Sequence, residues 1–251
     1  MEVIDEIEKI NPTELSQKLK EISAYISSQR WYELGVSLQG FIEKPSLKGH
    51  RQFVFENLIE KYSPYLDPFH YAHLILSTSD DFQNPDETIQ FLQTIAESKT
   101  FERKGEAKSL ILLREVDVMT QKGDFEVALK HLNLIEKDVT EQTPLEVRSS
   151  FHRTQSNLDK ARGDFDAFYQ HALLFLSTSR IEKDVVLAYD LCMAALFSNK
   201  VCSFGELAAH PILNSLEDGE YQWLRELILL LDKGEPQTIT EFNERFLPII
   251  N

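Results

Sequence analysis

The 251-residue sequence predicts an all-α protein built from stacked helix pairs. An internal repeat is the first observation, because KGDFEVALKHL at 122–132 returns as RGDFDAFYQHA at 162–172, displaced by 40 residues. A further unit precedes these two, since residues 86–95 align with residues 126–135. Periods of 20 to 50 residues are typical of repeated units that cannot bury their apolar faces alone. We therefore expect an interaction scaffold rather than an enzyme built around a pocket.

Hydrophobic periodicity is the second observation. Apolar residues recur every three or four positions between turn signals, which is typical of helices with one apolar face. No stretch shows sustained alternation flanked by hairpin turns, so we predict no β-strand. The clearest helical triplets are Leu112, Val116 and Met119; Ala128, Leu132 and Ile135; and Phe168, Ala172 and Phe175.

Helix boundaries carry the third group of signals. Several predicted helices begin with a capping side chain, Pro at the first helical position and Glu three residues after the cap. This pattern occurs at Asn11, Asn84 and Thr143, and Asp67 with Pro68 repeats it without the Glu. Capping boxes without Pro are predicted at Ser203 and Thr238, and the glycines expected to end helices in a left-handed conformation are Gly123, Gly163, Gly219 and Gly234.

Each repeat resolves into a helix, a tight Gly-Asp turn and a second helix. We expect the glycine of the turn to close the first helix and the aspartate to cap the second. The phenylalanine that follows is expected to pack against the preceding helix. The turn residues, to which we assign a structural role, are Gly123, Asp124, Phe125, Gly163, Asp164 and Phe165.

Composition excludes several classes of function. With 41 acidic and 26 basic residues the net charge is −15, which opposes the phosphate neutralisation that nucleic-acid binding requires. The longest apolar runs, such as Leu191 to Phe197, are far shorter than the roughly 20 residues of a membrane span. The N-terminus lacks the basic start and apolar block of a signal peptide. Cys192 and Cys202 are too few for a disulfide framework and are expected to be buried thiols in a reducing compartment.

No motif in the sequence predicts catalysis, a cofactor or a metal site. A Gly-rich phosphate loop, a His-Glu-x-x-His helix and a Gly-x-Ser-x-Gly elbow are all missing from it. His70 and His73 share one helical face but have no further ligand at metal-binding spacing. His131 and His171 recur through the repeat, so helix packing explains them better than catalysis. The acidic pairs Asp80-Asp81 and Glu217-Asp218 are interpreted as solvated charges in turns.

The segment at 187–235 carries the most specific pattern in the chain. An Ala-rich helix is followed by a Ser-Phe-Gly-Glu-Leu motif, a His-Pro-Ile-Leu motif, a Trp-Leu pair and a glycine turn. This succession resembles the PCI region of proteasome lid subunits, and residues 165–179 and 31–34 resemble the same family. The motif residues, which we interpret as structural, are Ser203, Phe204, Gly205, Glu206, Leu207, His210, Pro211 and Trp223.

Each motif residue has a physical reason within such a helical layer. Ser203 is expected to cap a helix whose third position is Glu206, with Phe204 packed back as a wedge. Pro211 is expected to begin the next helix after a bend at His210. Trp223 would supply a large apolar anchor. We expect these residues to support the fold rather than to touch partners directly.

The resemblance implies a right-handed α-solenoid of tetratricopeptide-like helix pairs that runs into the helical part of a PCI module. The arm would comprise residues 1–180 and the incomplete PCI subdomain residues 181–251. In the family a winged helix follows, and nothing in this sequence resembles one, so the chain is interpreted as a fragment. We expect apolar surface around Leu224, Leu231 and Phe246, and hence concentration-dependent self-association.

The function implied by the resemblance is a non-catalytic scaffold subunit of the 26S proteasome regulatory particle lid, which supports assembly and ubiquitin-dependent degradation. Its partners would be other lid subunits and neighbouring regulatory-particle subunits, including the region of a ubiquitin receptor. It would act in the cytoplasm and nucleus, without nucleic-acid or membrane contacts. Two alternatives stay open: a PCI subunit of a related assembly, the signalosome or the translation initiation factor complex, and a free peptide-binding tetratricopeptide-like adaptor.

Overall fold

The computed structural model describes residues 12–101, 105–181, 183–201 and 203–234. All regular structure within these ranges is helical, and none of them contains a β-strand. The predicted fold class, an all-α solenoid of helix pairs, is confirmed. Across the same ranges, no helix is both long and apolar enough to cross a membrane. The chain divides into two compact units, Met1–Thr143 and Pro144–Asn251.

The first unit is a succession of helices joined by short connections. Its helices are α1 (Pro12–Ser27), α2 (Trp31–Ile42), α3 (residues 51–62), α4 (Pro68–Ser79), α5 (Pro85–Ala96), α6 (Gly105–Lys122) and α7 (Phe125–Glu136), with 3-10 turns at Pro45–Leu47 and Lys99–Phe101.

Packing in the first unit follows the apolar stripe of each helix. Helix α2 packs against α1 and α4, and α6 packs against α4, α5 and α7. Leu34 and Leu38 of α2 are completely buried because they lie four residues apart on one face. Gly35 lets α2 and α4 approach closely, since a Cβ there would lie 2.9 Å from Nδ1 of His70. His70 is therefore a packed residue at a helix contact.

Helix α3 contains a turn that the sequence did not predict. It begins as α-helix at Arg51–Val54, widens into π-helix at Phe55–Ile59 and ends as α-helix at Glu60–Tyr62. Single π turns occur mostly as bulges within α-helices. Val54 just before the turn and Ile59 at its end are completely buried and hold α3 against the core.

The second unit begins with the longest helix hairpin of the repeat. Its helices are α8 (Leu145–Arg162), α9 (Phe165–Thr178), α10 (Val185–Phe197), α11 (Gly205–Ala209) and α12 (Gln222–Lys233), with a 3-10 helix at Pro211–Leu216. Helices α9 to α12 share one hydrophobic core that includes Phe168, Leu191, Leu207 and Ile228. The core is continuous across residue 180, and the domain boundary placed there stays a prediction.

The prediction of exposed apolar surface around the last helix is wrong for Leu224. Leu224 is completely buried, because α12 packs its apolar stripe against α10 and α11. Leu231 is half-buried. Phe246 lies outside the described residues, as do the predicted cap at Thr238 and the side chain of Asn11. Self-association of the chain stays a prediction.

The caps predicted at Asp67 and Asn84 are confirmed. The Asp67 carboxylate accepts hydrogen bonds from the backbone N–H groups of Phe69 and His70, and the Asn84 side chain accepts one from Asp86. Helix α1 is described from Pro12, and its predicted cap at Asn11 stays a prediction. The cap predicted at Thr143 is wrong. Its hydroxyl accepts from the N–H of Thr140 at 2.9 Å, and α8 begins at Leu145 without a side-chain cap.

Candidate interaction surface

The two Gly-Asp turns of the repeat have the same backbone but different side-chain bonds. Gly123 and Gly163 adopt positive φ angles of 92° and 74°, so both first helices end in the left-handed conformation predicted. Asp164 caps α9 by accepting a hydrogen bond from the N–H of Ala167 at 3.0 Å. Asp124 stands at the cap position of α7 but makes no cap bond, and its carboxylate lies 3.1 Å from the ammonium of Lys122.

The phenylalanines that follow these turns differ in burial. Phe125 is half-buried, whereas the side chain of Phe165 is 44% exposed. The Phe165 ring lies 5.7 Å from the ring of Phe197 at the end of α10. The packing of Phe165 against the preceding helix stays a prediction, since the ring contact that the structure gives is with a later helix.

The repeated histidine of each hairpin reaches a buried carboxylate on the partner helix. In the first unit, Nδ1 of His131 on α7 lies 3.5 Å from the carboxylate of Glu115 on α6, whose side chain is 2% exposed. The same carboxylate oxygen accepts a hydrogen bond of 2.7 Å from the side-chain amide of Gln93 on α5. Three helices are thus tied together at one buried charge.

The second unit contains the same kind of contact in a tighter form. Nδ1 of His171 on α9 lies 2.6 Å from the carboxylate of Asp159 on α8, and the side chain of Asp159 is 8% exposed. Arg162 approaches the other carboxylate oxygen to 3.9 Å. These contacts account for the histidines as packing residues, as the sequence indicated. The acidic partners were not predicted.

The motif segment that follows α10 folds as two short helices over the core. Helix α11 begins at Gly205, with Phe204 at the cap position, and the Ser203 hydroxyl accepts a hydrogen bond of 3.3 Å from the N–H of Gly205. The cap predicted at Ser203 is therefore wrong, because Ser203 lies one residue before the observed cap position and supports the turn that precedes the helix. Leu207 is completely buried, and Phe204 packs against the same core.

The second half of the motif follows the predicted geometry. His210 has an extended backbone, with ψ at 135°, and Pro211 begins the 3-10 helix. Nδ1 of His210 accepts a hydrogen bond of 3.1 Å from the N–H of Ile212, so the imidazole serves as the helix cap. Trp223 on α12 packs against the hydrophobic core of the unit as a half-buried anchor. Their assignment as structural residues stays a prediction.

The cap at His210 makes the second unit sensitive to acid. Burial lowers the pKa of His210 in the folded chain, and a protonated Nδ1 could no longer accept the Ile212 hydrogen bond. The unfolded chain therefore binds the proton more readily, and stability falls as the pH drops below about 6.5. We expect His210→Asn to flatten the dependence of the free energy of unfolding on pH between about 5.5 and 7, because the asparagine oxygen can accept the same bond without titrating.

Urea unfolding across this range measures the effect. Some dependence of stability on pH should remain in His210→Asn, because burial also lowers the pKa of His152. His50→Asn at an exposed position is the matched control and should leave the slope of the natural chain. An unchanged slope in His210→Asn would rule out the imidazole cap as a source of acid sensitivity.

One acidic turn residue differs from its interpretation as a solvated charge. The side chain of Asp81 is 5% exposed, and its carboxylate accepts hydrogen bonds from the N–H groups of Gly49 at 2.8 Å and Arg51 at 2.9 Å. Asp81 thus fixes the start of α3, because the backbone there has no acceptor of its own. Asp80 is exposed and pairs with Arg114 at 2.6 Å.

The chain has two cysteines, of which the structure describes one. The Cys192 thiol is buried in the core of the second unit, where burial raises its pKa to about 12. Cys202 lies outside the described residues. The parts of the chain that the structure describes contain no group of three or more side chains that could hold a metal ion.

Comparison with known proteins identifies the repeats. A family model described as PSD13 N-terminal repeats matches residues 18–228. The chain is 26% identical over 247 residues to the 26S proteasome non-ATPase regulatory subunit 13 of Dictyostelium discoideum, which covers 94% of this chain and 64% of that protein. It is 27% identical over 236 residues to the 26S proteasome regulatory subunit RPN9 of Saccharomyces cerevisiae, covering 86% of this chain and 60% of the relative.

A plant relative is more distant. The chain is 22% identical over 247 residues to the 26S proteasome non-ATPase regulatory subunit 13 homolog A of Arabidopsis thaliana. The chain spans 60% to 64% of the length of these three relatives. The matches confirm the family resemblance carried by the motif segment and the repeat. Because the family model covers most of the sequence, the chain belongs to the family of PSD13 N-terminal repeats.

Proposed function

We propose that this protein is a non-catalytic scaffold subunit in the lid of the 26S proteasome regulatory particle. It would support assembly, and through it ubiquitin-dependent protein degradation, by contacts with other proteins. The observation that carries the proposal is the match of the repeats over residues 18–228, together with relatives that are named as 26S proteasome regulatory subunits.

The structure supports a role in contacts. Helix hairpins bury one face of each helix and leave the opposite face to solvent, which gives repeat proteins an extended binding surface. Exposed apolar side chains on the second unit include Leu174 at 46%, Val186 at 68% and Phe197 at 61%. Such side chains are suited to protein partners, and the net charge of −15 favours partners with basic surfaces.

The proposed partners are other lid subunits and neighbouring regulatory-particle subunits, including the region of a ubiquitin receptor. The proposed location is the cytoplasm and nucleus, where these assemblies act. Neither nucleic acid nor a membrane surface is among the proposed partners, and the net charge of −15 opposes nucleic-acid binding.

Affinity purification of the tagged chain from its own cells, in gentle low-salt buffer, tests the proposal. We expect mass spectrometry to recover lid subunits and regulatory-particle subunits above the level of a tag-only control. Recovery of none of them would overturn the proposal.

The same experiment separates the alternatives. Recovery of signalosome or translation initiation factor subunits instead would place the chain in a related assembly. A free adaptor of the tetratricopeptide type would bind acidic C-terminal peptides, so saturable binding of such a peptide by the purified chain would favour that function. We expect no saturable binding.

A further inference from the structure

A groove of about 710 Å³ lies within the second unit, beside α9 and the residues that follow α10. Leu173, Leu174 and Val201 give it an apolar lining. Volumes of roughly 300 to 1,000 Å³ are typical of sites that enclose small ligands. The groove therefore has room for a few residues of an extended peptide.

One hydroxyl at the groove has a proton to donate but no acceptor for it. Tyr169 lines the groove and is 6% exposed, and among the described residues its buried hydroxyl has no hydrogen-bond partner. Burial, and then the charge of Glu206, raise the pKa of Tyr169, so the hydroxyl stays protonated. A buried hydroxyl without a partner destabilises a fold. An acceptor supplied by a bound molecule would remove that cost.

Two carboxylates lie at the groove, and they differ in the hydrogen-bond donors and cations that surround them. The Ser198 hydroxyl lowers the pKa of Asp166, and the ammonium of Lys200 lies 3.8 Å from the same carboxylate. The Asn199 N–H donates to it at 3.1 Å. Glu206 is exposed at the rim, and none of the ion pairs between described residues gives it a cation. The groove therefore offers one carboxylate to a cation from another molecule.

We propose that this groove binds a segment of a partner protein in which an aliphatic residue stands next to Lys or Arg. The aliphatic side chain would cover Leu173 and Val201. A backbone carbonyl of the segment would accept a hydrogen bond from the Tyr169 hydroxyl, and the basic side chain would pair with Glu206. The net charge of −15 favours the approach of such a basic segment.

The inference rests on the proposed function, because the segment would belong to a neighbouring subunit. Its test is nevertheless separate. Peptide binding reports on the groove alone, whereas co-purification reports on the assembly alone, so either can fail without the other.

The probe is the peptide acetyl-Ala-Leu-Arg-Ala-amide, titrated into the full chain with ¹³C-labelled leucine and valine methyl groups. We expect saturable chemical-shift changes at Leu173, Leu174 and Val201, with a millimolar Kd. The peptide acetyl-Ala-Leu-Glu-Ala-amide should bind at least threefold more weakly, because its carboxylate meets Glu206.

Two variants test the polar contacts. Glu206→Gln should raise the Kd of the arginine peptide about threefold and abolish its preference over the glutamate peptide. Tyr169→Phe should raise the Kd of both peptides about fivefold by removing one donor. Glu217→Gln and Tyr189→Phe change the same residue types away from the groove and should leave both values unchanged.

The Tyr169→Phe variant also gives a reading that does not depend on any peptide. Removing a buried hydroxyl that has no partner should raise the Tm of the free chain by roughly 2 to 4 °C. A drop in Tm would show that the hydroxyl is bonded in the free chain, which would overturn the proposal.

The remaining outcomes also decide the matter. Equal binding of the arginine and glutamate peptides, or shifts confined to methyl groups outside the groove, would refute the basic segment. Groove shifts that depend on protein concentration without peptide would assign the groove to a second copy of the chain and refute it as well.

Discussion

Replacing Phe168 with alanine is expected to lower the free energy of unfolding by about 4 kcal/mol. Phe168 is 3% exposed and lies in the core of the second unit with Ala172 and Leu191. The substitution removes most of an aromatic side chain and leaves a cavity that the surrounding helices can fill only in part. Urea unfolding monitored by circular dichroism measures the loss.

The matched control is Phe165→Ala, which makes the same change at a ring that is 44% exposed. We expect it to cost less than about 1 kcal/mol, because most surface substitutions have small effects. Equal losses in the two variants would contradict the assignment of Phe168 to the core.

The repeat suggests a compensating variant. The positions of Phe168 and Ala172 correspond to Ala128 and Leu132 in the preceding repeat, so large and small residues exchange places. Ala172→Leu alone should cost about 1 to 3 kcal/mol through overpacking. Combined with Phe168→Ala, it should cost less than the sum of the single changes, because the added leucine fills part of the cavity.

Replacing His171 with alanine is expected to lower the free energy of unfolding by about 3 kcal/mol. The change leaves the Asp159 carboxylate, which is 8% exposed, without the imidazole that now lies 2.6 Å away. Arg162 at 3.9 Å is too distant to replace a hydrogen bond of that length.

His131→Ala provides the matched comparison in the first unit and should cost only about 1 kcal/mol. Glu115 would keep the hydrogen bond of 2.7 Å from Gln93, and His131 is already 3.5 Å away. Adding Asp159→Asn to His171→Ala should recover part of the loss, since the buried charge is removed. Equal losses of free energy of unfolding in His171→Ala and His131→Ala would show that the carboxylate partners do not determine the size of the loss.

The sequence predicted several features that depend on neighbouring residues alone, although the caps predicted at Thr143 and Asp124 do not form. Gly123 and Gly163 close their helices, and Asp67 and Asn84 cap theirs, because backbone geometry and a short side chain decide these bonds locally. The all-α class followed from the same kind of information, since hydrophobic periodicity is set within each helix.

Contacts between helices were harder to predict. The partner of Phe165 is Phe197, which comes from a helix that the 40-residue repeat does not include. The acidic partners of the repeated histidines have no common spacing: Glu115 lies eight residues before its turn glycine and Asp159 lies four before. A comparison at a fixed period therefore finds the histidines but misses the carboxylates.

The groove illustrates the same limit at the candidate site. The motif residues Glu206 and His210 were recognised by their pattern, whereas Tyr169 appeared only as an aromatic residue within a repeat. No local pattern distinguishes a tyrosine whose hydroxyl has a partner from one whose hydroxyl has none. That distinction depends on residues that meet only after folding.

The π turn at Phe55–Ile59 fixes the angular phase of helix α3. One residue more than an α turn requires lies in it, and each residue of an α-helix turns the chain by about 100°. Because a π turn closes its hydrogen bond over one residue more, its residues wind the chain less steeply, and the extra residue is absorbed within the turn. Deleting one residue of the turn would therefore restore a regular α-helix and leave the residues beyond it close to their present faces. The same deletion elsewhere in the helix would rotate the following residues by about 100°, so this turn is the place where α3 can lose a residue at the smallest cost.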